Sequence, residues 1–260
     1  MKLSLKFAIV VAMIIICAGS SVVAEEAGDK SGTNPILFTN DFRIYVELQG
    51  LNADDSGAQT FTFEYRRPLH ENLQLRARMR AVSRSVDVDG DGRSETTAGV
   101  GDFDMRLLTV PYSNNSWAIA AGLESFWNTA TDDLLGEGQW SLGPQLFAVK
   151  FAPFGLAGTL VAPAYQHVVS VAGERGRTDV NRSQLDIFFL WLSKDKKNWV
   201  LVDPQAVIDH ENDVAFGLIE AEVGQIMFGG FSSYVRPGVG VGEDRPLDWN
   251  AEVGFKVVWR

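Results

Sequence analysis

The segment Leu73–Arg84, LQLRARMRAVSR, alternates apolar residues with polar residues, most of which are arginines. Successive side chains of a strand point to opposite faces, so this pattern predicts a strand with one apolar face and one arginine face. In a water-soluble sandwich the apolar face would pack inward and the arginines would meet water. In an outer-membrane barrel the apolar face would meet lipid and the arginines would line the interior. The rest of the chain has to decide between these folds.

Strand-like patterns recur along the chain, and no helical period is sustained. We count twelve segments: Phe42–Leu48, Phe61–Arg66, Leu73–Arg84, Asp102–Leu107, Trp117–Glu124, Gln139–Phe151, Leu156–Val171, Gln184–Trp191, Val200–Asp209, Ile219–Val223, Tyr234–Arg236 and Trp249–Trp259. Gln139–Phe151 and Leu156–Val171 are apolar on both faces, so their pattern gives no orientation.

Two regularities favour the barrel. Compact turns alternate with longer acidic or glycine-rich loops, as short periplasmic turns alternate with longer outer loops in outer-membrane barrels. The last segment, Trp249–Trp259, keeps one apolar face over six positions, which a sandwich strand rarely does. We therefore predict an all-β fold: one antiparallel up-and-down transmembrane barrel of about twelve strands over residues 41–260, located in the outer membrane. Its final strand resembles the C-terminal signal read by the barrel-assembly machinery.

The N-terminal region is predicted to lie outside this barrel. Residues 1–24 have the pattern of a secretory signal peptide, with two early lysines, the short apolar run Phe7–Ile16 and small residues before Glu25. The polar stretch 25–40 is expected to be a loose leader. The only cysteine, Cys17, lies in the predicted signal, so we expect no disulfide in the exported chain.

Net charge limits the partners. The chain carries 33 Asp and Glu against 23 Lys and Arg, a net charge of −10, which argues against nucleic acid. Outside the predicted signal no apolar run is long enough for a membrane-spanning helix. We expect outer-membrane lipid and a small-molecule solute as partners, and no cofactor other than a weakly bound calcium ion.

The polar faces of the strands supply the candidate lumen lining: Arg43, Glu47, Glu64, Arg66, Arg76, Arg78, Arg80, Asp102, Asp104, Arg106, Glu124, Asp186, Asp203, Glu220, Glu222 and Arg236. The arginines concentrate on the early strands and the carboxylates on the later ones. If the strands close in order, a basic wall faces an acidic wall across the lumen, and the field between them would sort charged solutes. Alternatively, the carboxylates of the early strands neutralise the arginines in a salt-bridge plug.

A candidate metal site lies in the loop DVDGDGRSE. Asp87, Asp89 and Asp91 occupy alternate positions, and Gly92 and Glu95 follow with the spacing of a calcium loop. The twelfth position is alanine, so the bidentate glutamate is missing and calcium would bind weakly. The alternative is a solvated acidic hairpin loop.

Catalytic constellations are not evident. His167 and Ser170 are three residues apart on one segment, so they would point to opposite faces. His70 and His210 fall in a turn and at a strand end, and no nucleophile–base pair occurs at a suitable spacing. We therefore predict no catalysis. A lipid-modifying barrel enzyme and a non-conducting structural or adhesion barrel remain the alternatives to a channel.

Three stretches carry a family resemblance: GVGDFDMRL, TATDDLLGEGQWSLGPQLFAVKF and WVLVDPQAVIDHEND. With them, the chain from about Arg66 to its end resembles a family of proteobacterial outer-membrane transporter-like proteins, related to barrels found with meta-cleavage pathways of phenol degradation. The resemblance implies an outer-membrane barrel that passes small solutes, hydrophobic or aromatic ones among them. The family has no established catalytic residues to carry over.

Overall fold

The computed structural model of the protein describes residues 31–52, 56–86 and 94–259. The predicted signal peptide lies outside these residues. The described chain forms thirteen strands and one 3₁₀ turn at Pro153–Gly155. The strands are β1 (Asn40–Leu51), β2 (Gly57–His70), β3 (Leu73–Val86), β4 (Glu95–Val100), β5 (Phe103–Ser113), β6 (Trp117–Trp127), β7 (Gln139–Phe151), β8 (Thr159–Gly173), β9 (Asn181–Leu192), β10 (Asn198–Asp209), β11 (Val214–Phe228), β12 (Phe231–Val241) and β13 (Leu247–Trp259).

The strands form one closed antiparallel sheet. Neighbours in sequence pair with each other, and β1 pairs with β13 from Asn40 opposite Trp259 to Leu51 opposite Leu247, which closes the ring. β4 and β5 share one place in it, because β3 pairs with β5 through its first half and with β4 through its second half. The result is a twelve-strand up-and-down barrel with one extra strand, which confirms the predicted fold.

β4, with the sequence ETTAGV, is the strand that the sequence pattern did not predict, because it lies between two of the twelve predicted segments. Its residues have no apolar alternation, and they pair with β3 because β5 stops short of this half of it. Asp102 stabilises the break between β4 and β5. Its carboxylate accepts hydrogen bonds from the backbone N–H groups of Thr129, Ala130 and Glu137, at 2.8 to 3.1 Å.

The outer surface of the barrel is apolar. On β13 the outward side chains of Trp249, Val253, Phe255, Val257 and Trp259 are each 41–51% exposed, and the other strands continue this surface. Water-soluble monomers rarely expose apolar patches of this extent, whereas a transmembrane barrel presents such a band to lipid. The described part of the chain has no helix suited to crossing a membrane.

The two ends of the barrel differ. β1 begins and β13 ends at one rim, where the connections are short, such as the two-residue turn Gly229–Gly230 between β11 and β12. Gly229 has φ +57°, the left-handed conformation that such a turn requires. The opposite rim carries longer connections, including 128–138 and 174–180. We call these the short-turn end and the long-loop end.

The segment 31–39 lies inside the barrel near the short-turn end. We predicted a loose leader over 25–40, and the described part of that stretch is instead buried, with Ile36 only 2% exposed. Ile36 packs into an apolar cluster built from inward residues near the short-turn end: Leu108, Val110, Ala118, Val149, Leu160, Leu192 and Trp199 among them. The stretch Pro35–Phe38 is apolar within a polar leader, so enclosing it removes apolar surface from water.

Candidate functional site

The barrel encloses a polar cavity of about 630 Å³. Every strand except β4 contributes side chains to its lining. Gly32, Thr33 and Pro35 of the N-terminal segment also line it, toward the short-turn end. The carbonyl oxygen of Gly32 accepts hydrogen bonds from the guanidinium groups of Arg43 and Arg66, so the segment is bound directly to the charged wall.

Most of the candidate lumen residues line this one cavity. They are Arg43, Glu47, Glu64, Arg66, Arg76, Arg78, Arg80, Arg106, Glu124, Asp186, Asp203, Glu220, Glu222 and Arg236. Asp104 is fully buried behind them and contacts Arg78 and Arg80 at 2.9 and 2.6 Å. Asp102 does not line the cavity, because its carboxylate binds the backbone of the 128–138 connection.

The early strands form a basic wall with carboxylates inside it. Glu64 lies 3.3 Å from Arg43 and 2.7 Å from Arg66, and Glu124 pairs with both Arg76 and Arg78. Six arginines line the cavity from β1, β2, β3 and β5, and four carboxylates lie among them: Asp41, Glu64, Asp104 and Glu124. Pairing is therefore extensive, and the wall still keeps excess positive charge.

The opposite wall is acidic. Arg236 lies 2.7 Å from Asp203 and 2.5 Å from Glu220, and it is the arginine that β12 contributes. Lys256 is completely buried, 3.4 Å from Glu222, with its ammonium group over the rings of Trp199 and Tyr234 at 4.3 and 5.0 Å. The remaining carboxylates facing this side, Glu47, Asp186 and Glu252, have no ion pair with a described residue.

The two sequence-based interpretations of the lumen thus each describe part of it. Ion pairs form within each wall, as the salt-bridge interpretation expected. The excess of each sign stays on its own side, as the opposed-wall interpretation expected. Opposed excess charges of this kind produce a transverse electric field across the cavity.

A neutral sector separates the walls on β7 and β8, where Gln145, Phe147 and Gln166 line the cavity. Gln184 and Phe188 on β9 and Phe126 on β6 extend it on either side. The rings of Phe147 and Phe188 stack with centroids 6.5 Å apart. Sequence reasoning missed this sector because β7 and β8 are apolar on both faces. Neutral glutamines inside an apolar stretch were the signal that could have indicated the lumen side.

The tryptophans divide between the two surfaces. Trp199 is buried inside and donates a hydrogen bond to Glu222 at 2.6 Å. Outward tryptophans lie near both rims: Trp127 packs on Trp140 with ring centroids 5.0 Å apart at the long-loop end, and Trp259 stacks on Tyr65 at the short-turn end. Aromatic residues at both interfaces are typical of transmembrane barrels.

A serine–histidine cluster lies on the outer surface near the long-loop end. The hydroxyl of Ser183 is 3.0 Å from Nδ1 of His167, 2.9 Å from Nε2 of His210 and 3.2 Å from the hydroxyl of Tyr165. These side chains point outward because the intervening Gln166 and Gln184 line the cavity. Ser183 and the two histidines come from separate parts of the chain, so the spacing of residues along one segment did not predict their contact.

The predicted calcium loop is only partly described. Asp87, Asp89, Asp91 and Gly92 lie outside the described residues. Glu95 begins β4 opposite Val86 and is exposed. Among the described residues, no group of three His, Cys, Asp or Glu side chains is placed to hold a metal ion. Weak calcium binding by this loop stays a prediction.

A closed barrel with an apolar outer surface and a charged interior defines an outer-membrane β-barrel. Solved structures of this class are similar to it. An outer-membrane channel from Pseudomonas putida F1 matches with a TM-score of 0.66 and 11% identity over 85% of this chain and 96% of that one. The KdgM porin matches with a TM-score of 0.56 and the NanC porin with 0.57, each at 10% identity over 85% of this chain and 99% of the other.

These likenesses show the fold, and the identities are too low to carry a function across. Neither the known protein families nor the curated proteins contain a match to the sequence. The relation to barrels of phenol meta-cleavage pathways stays a prediction.

Proposed function

We propose that the protein is a passive outer-membrane channel for small solutes. The observation that carries the proposal is the cavity of about 630 Å³, lined by charged and polar side chains from all around the barrel. A purely structural barrel would be free to fill its interior with apolar side chains, as β5 to β10 do near the short-turn end. The porin and channel folds of the similar structures support the same function.

The lining favours a solute that is both polar and partly flat. Charged walls on two sides suit a dipolar or ionised group, and Phe126, Phe147 and Phe188 offer aromatic surface between them. This combination supports the aromatic solute that the family resemblance implies.

Residues 31–39 lie inside the barrel near the short-turn end, so conduction requires a path past them. We expect the contacts of Gly32 with Arg43 and Arg66, and of Ile36 with the apolar cluster, to keep conductance low in the native chain. Displacing the segment would widen the route between the two rims.

Single-channel recording in planar bilayers tests this function. The native barrel should give small conductance steps, and Ile36→Ser should give larger or longer ones because its apolar contacts are weakened. Changing Arg76, Arg78 and Arg80 to serine should move ion selectivity toward cations, since positive charge leaves the lumen wall. Heat-modifiable gel mobility checks that each variant folds. Correctly folded native and Ile36→Ser barrels that both stay silent would contradict the channel.

The barrel-assembly machinery remains the predicted partner of the last strand. β13 makes the closing pairs with β1, so removing Val257–Trp259 should prevent insertion in cells while leaving export intact. Normal insertion of that truncated chain would contradict the prediction.

Ester hydrolysis on the outer surface is a second candidate function. Ser183 lies within hydrogen-bond reach of two imidazoles, which is the geometry of an activated nucleophile. The cluster faces outward near the long-loop rim, at the level where lipid headgroups meet a barrel. In such a reaction the Ser183 oxygen would attack an ester carbonyl, an imidazole would take the hydroxyl proton and pass it to the leaving alcohol, and water would then release the acid.

Hydrolysis of a phospholipid in mixed micelles tests this second function. Activity of the native barrel should fall at least about 100-fold in Ser183→Ala, the range expected for loss of a nucleophile. Ser233→Ala is the matched control, because Ser233 also faces outward, on β12, with its hydroxyl near the sulfur of Met227. No activity above that of micelles alone, or equal activity in both variants, would exclude the hydrolase.

A further inference from the structure

Three arginines form a continuous row across neighbouring strands of the basic wall. Arg66 on β2 is directly opposite Arg76 on β3, and Arg76 is directly opposite Arg106 on β5. In this row of paired positions, carboxylates occur only at the two ends: Asp41 on β1 is opposite Arg66, and Glu124 on β6 is opposite Arg106. Like charges at directly opposite positions destabilise a sheet, so the row costs stability unless something offsets it.

Ion pairs within the wall compensate the repulsion among these three arginines, but not equally for each of them. Arg66 contacts Glu64 at 2.7 Å, and Arg76 contacts Glu124 and, at 3.6 Å, Asp104. Arg106 has no ion pair or hydrogen bond from its side chain to any described residue. It is thus the member of the six-arginine wall whose charge is left without a partner in the described chain.

Buried donors without acceptors lie along the row. The Nε atoms of Arg76 and Arg106 and the amide nitrogen of Gln145 are buried and make no hydrogen bond to a described residue. Arg76 and Gln145 are only 7% and 8% exposed, and all three side chains line the cavity. Buried donors are nearly always paired in folded proteins, so these three donors make this side of the cavity suited to an acceptor group.

A glycine lets Gln145 pack close to the strand beside the row. Gly122 on β6 is directly opposite Gln145 on β7, and a Cβ atom there would come within 3.2 Å of Cγ of Gln145 and 2.9 Å of Cδ1 of Leu108. Glu124 lines the cavity from the same strand as Gly122. Its charge is already taken up by Arg76 and Arg78, and it accepts a hydrogen bond from Gln166 at 3.0 Å.

We propose that the row Arg66–Arg76–Arg106, together with Gln145, binds the oxyanion group of a small solute, a carboxylate or a phosphate. Planar guanidinium groups match the geometry of both anions, and one bound oxyanion supplies acceptors to several unpaired N–H groups at once. Phe147, two residues from Gln145 on the same inward face, gives the rest of the solute an apolar contact. The inference rests on the proposed function only in requiring that solutes reach the lumen.

Calorimetric titration of the folded barrel in detergent tests the site, with benzoate and inorganic phosphate as probes and benzyl alcohol as the neutral comparison. We expect saturable binding of at least one anion and none of the alcohol. Arg106→Gln should weaken that binding at least about tenfold, and Gln145→Leu should weaken it without changing the charge of the wall. Arg67→Gln is the matched control, because Arg67 adjoins Arg66 on β2 and faces outward.

Each outcome decides the proposal. Binding of benzoate alone assigns a carboxylate, and binding of phosphate alone assigns a phosphate group. Absence of saturable binding of both anions up to about 10 mM overturns the site, as does equal weakening by Arg67→Gln and Arg106→Gln. Anion binding by a barrel that conducts no current would retain the site and reject the channel, so the two proposals fail separately.

Discussion

At the scale of single residues, the lumen shows how a barrel tolerates buried charge. Lys256 is fully buried, yet its ammonium group meets Glu222 and two aromatic faces, those of Trp199 and Tyr234. Glu222 in turn accepts the indole N–H of Trp199. These contacts stabilise the buried ammonium group of Lys256. If either member of the Lys256–Glu222 pair is removed, the remaining charge stays buried without its partner and its desolvation is no longer compensated.

Lys256→Met should therefore destabilise the barrel strongly. The change leaves Glu222 buried with Arg236 as its nearest cation, at 4.0 Å, so we expect a loss of about 3 kcal/mol in the free energy of unfolding. Urea titration of the lipid-inserted barrel measures it. Lys150 also lies over a tryptophan, Trp117, but on the outer surface. Lys150→Met should cost less than about 1 kcal/mol. Similar losses in the two variants would contradict the account of Lys256.

At the scale of elements, the strands were predictable where their two faces meet different surroundings. β3 separates lipid from a charged lumen, so its alternation is complete and the sequence predicted it well. β7 and β8 face lipid on one side and the interior apolar cluster on the other, through Phe147, Val149 and Leu160. When both faces of a strand are apolar, the alternation of residues does not show which face meets lipid and which meets the interior. β4 was missed for a related reason, because it is short and largely exposed.

Contacts between strands that are distant in sequence were not predictable either. Polar residues of the candidate lumen were recognised one strand at a time, and most of them line the cavity. The row of arginines and the Ser183 cluster exist only through the register of neighbouring strands, which no single segment encodes. Burial of residues 31–39 depends likewise on an apolar cluster built from seven strands.

Glycines on the inner face make room for the large aromatic residues of adjacent strands. A Cβ atom on Gly224 would lie 2.0 Å from Cζ2 of Trp199, which is itself fully buried. We expect Gly224→Ala to cost about 1 to 3 kcal/mol in unfolding free energy, because the indole has no space to move. The same urea titration measures it. Gly217→Ala, on the same strand with its nearest neighbour at 3.2 Å, is the comparison and should cost clearly less. A smaller loss at Gly224 than at Gly217 would refute this packing argument.

At the scale of the whole molecule, the barrel has two compartments in series. Near the short-turn end the interior is apolar and filled, with the N-terminal segment packed into it. Beyond that layer lies the charged cavity, whose lining reaches residues close to the long-loop end such as Gln49, Arg182 and Leu247. In the proposed channel, solute selection and closure would therefore fall to different layers of one lumen, which meet at residues such as Phe147 and Leu201.

The enclosed segment also sets an order of events. Residues 31–39 precede β1 directly, and β1 closes the ring by pairing with β13, the last strand in the sequence. The ring cannot close around the segment until that last strand has arrived. The part of the barrel that is synthesised first is thus among the last to be enclosed, and until that moment its apolar residues have no interior to occupy. Any delay in the arrival of β13 therefore prolongs the exposure of the apolar side chains in residues 31–39.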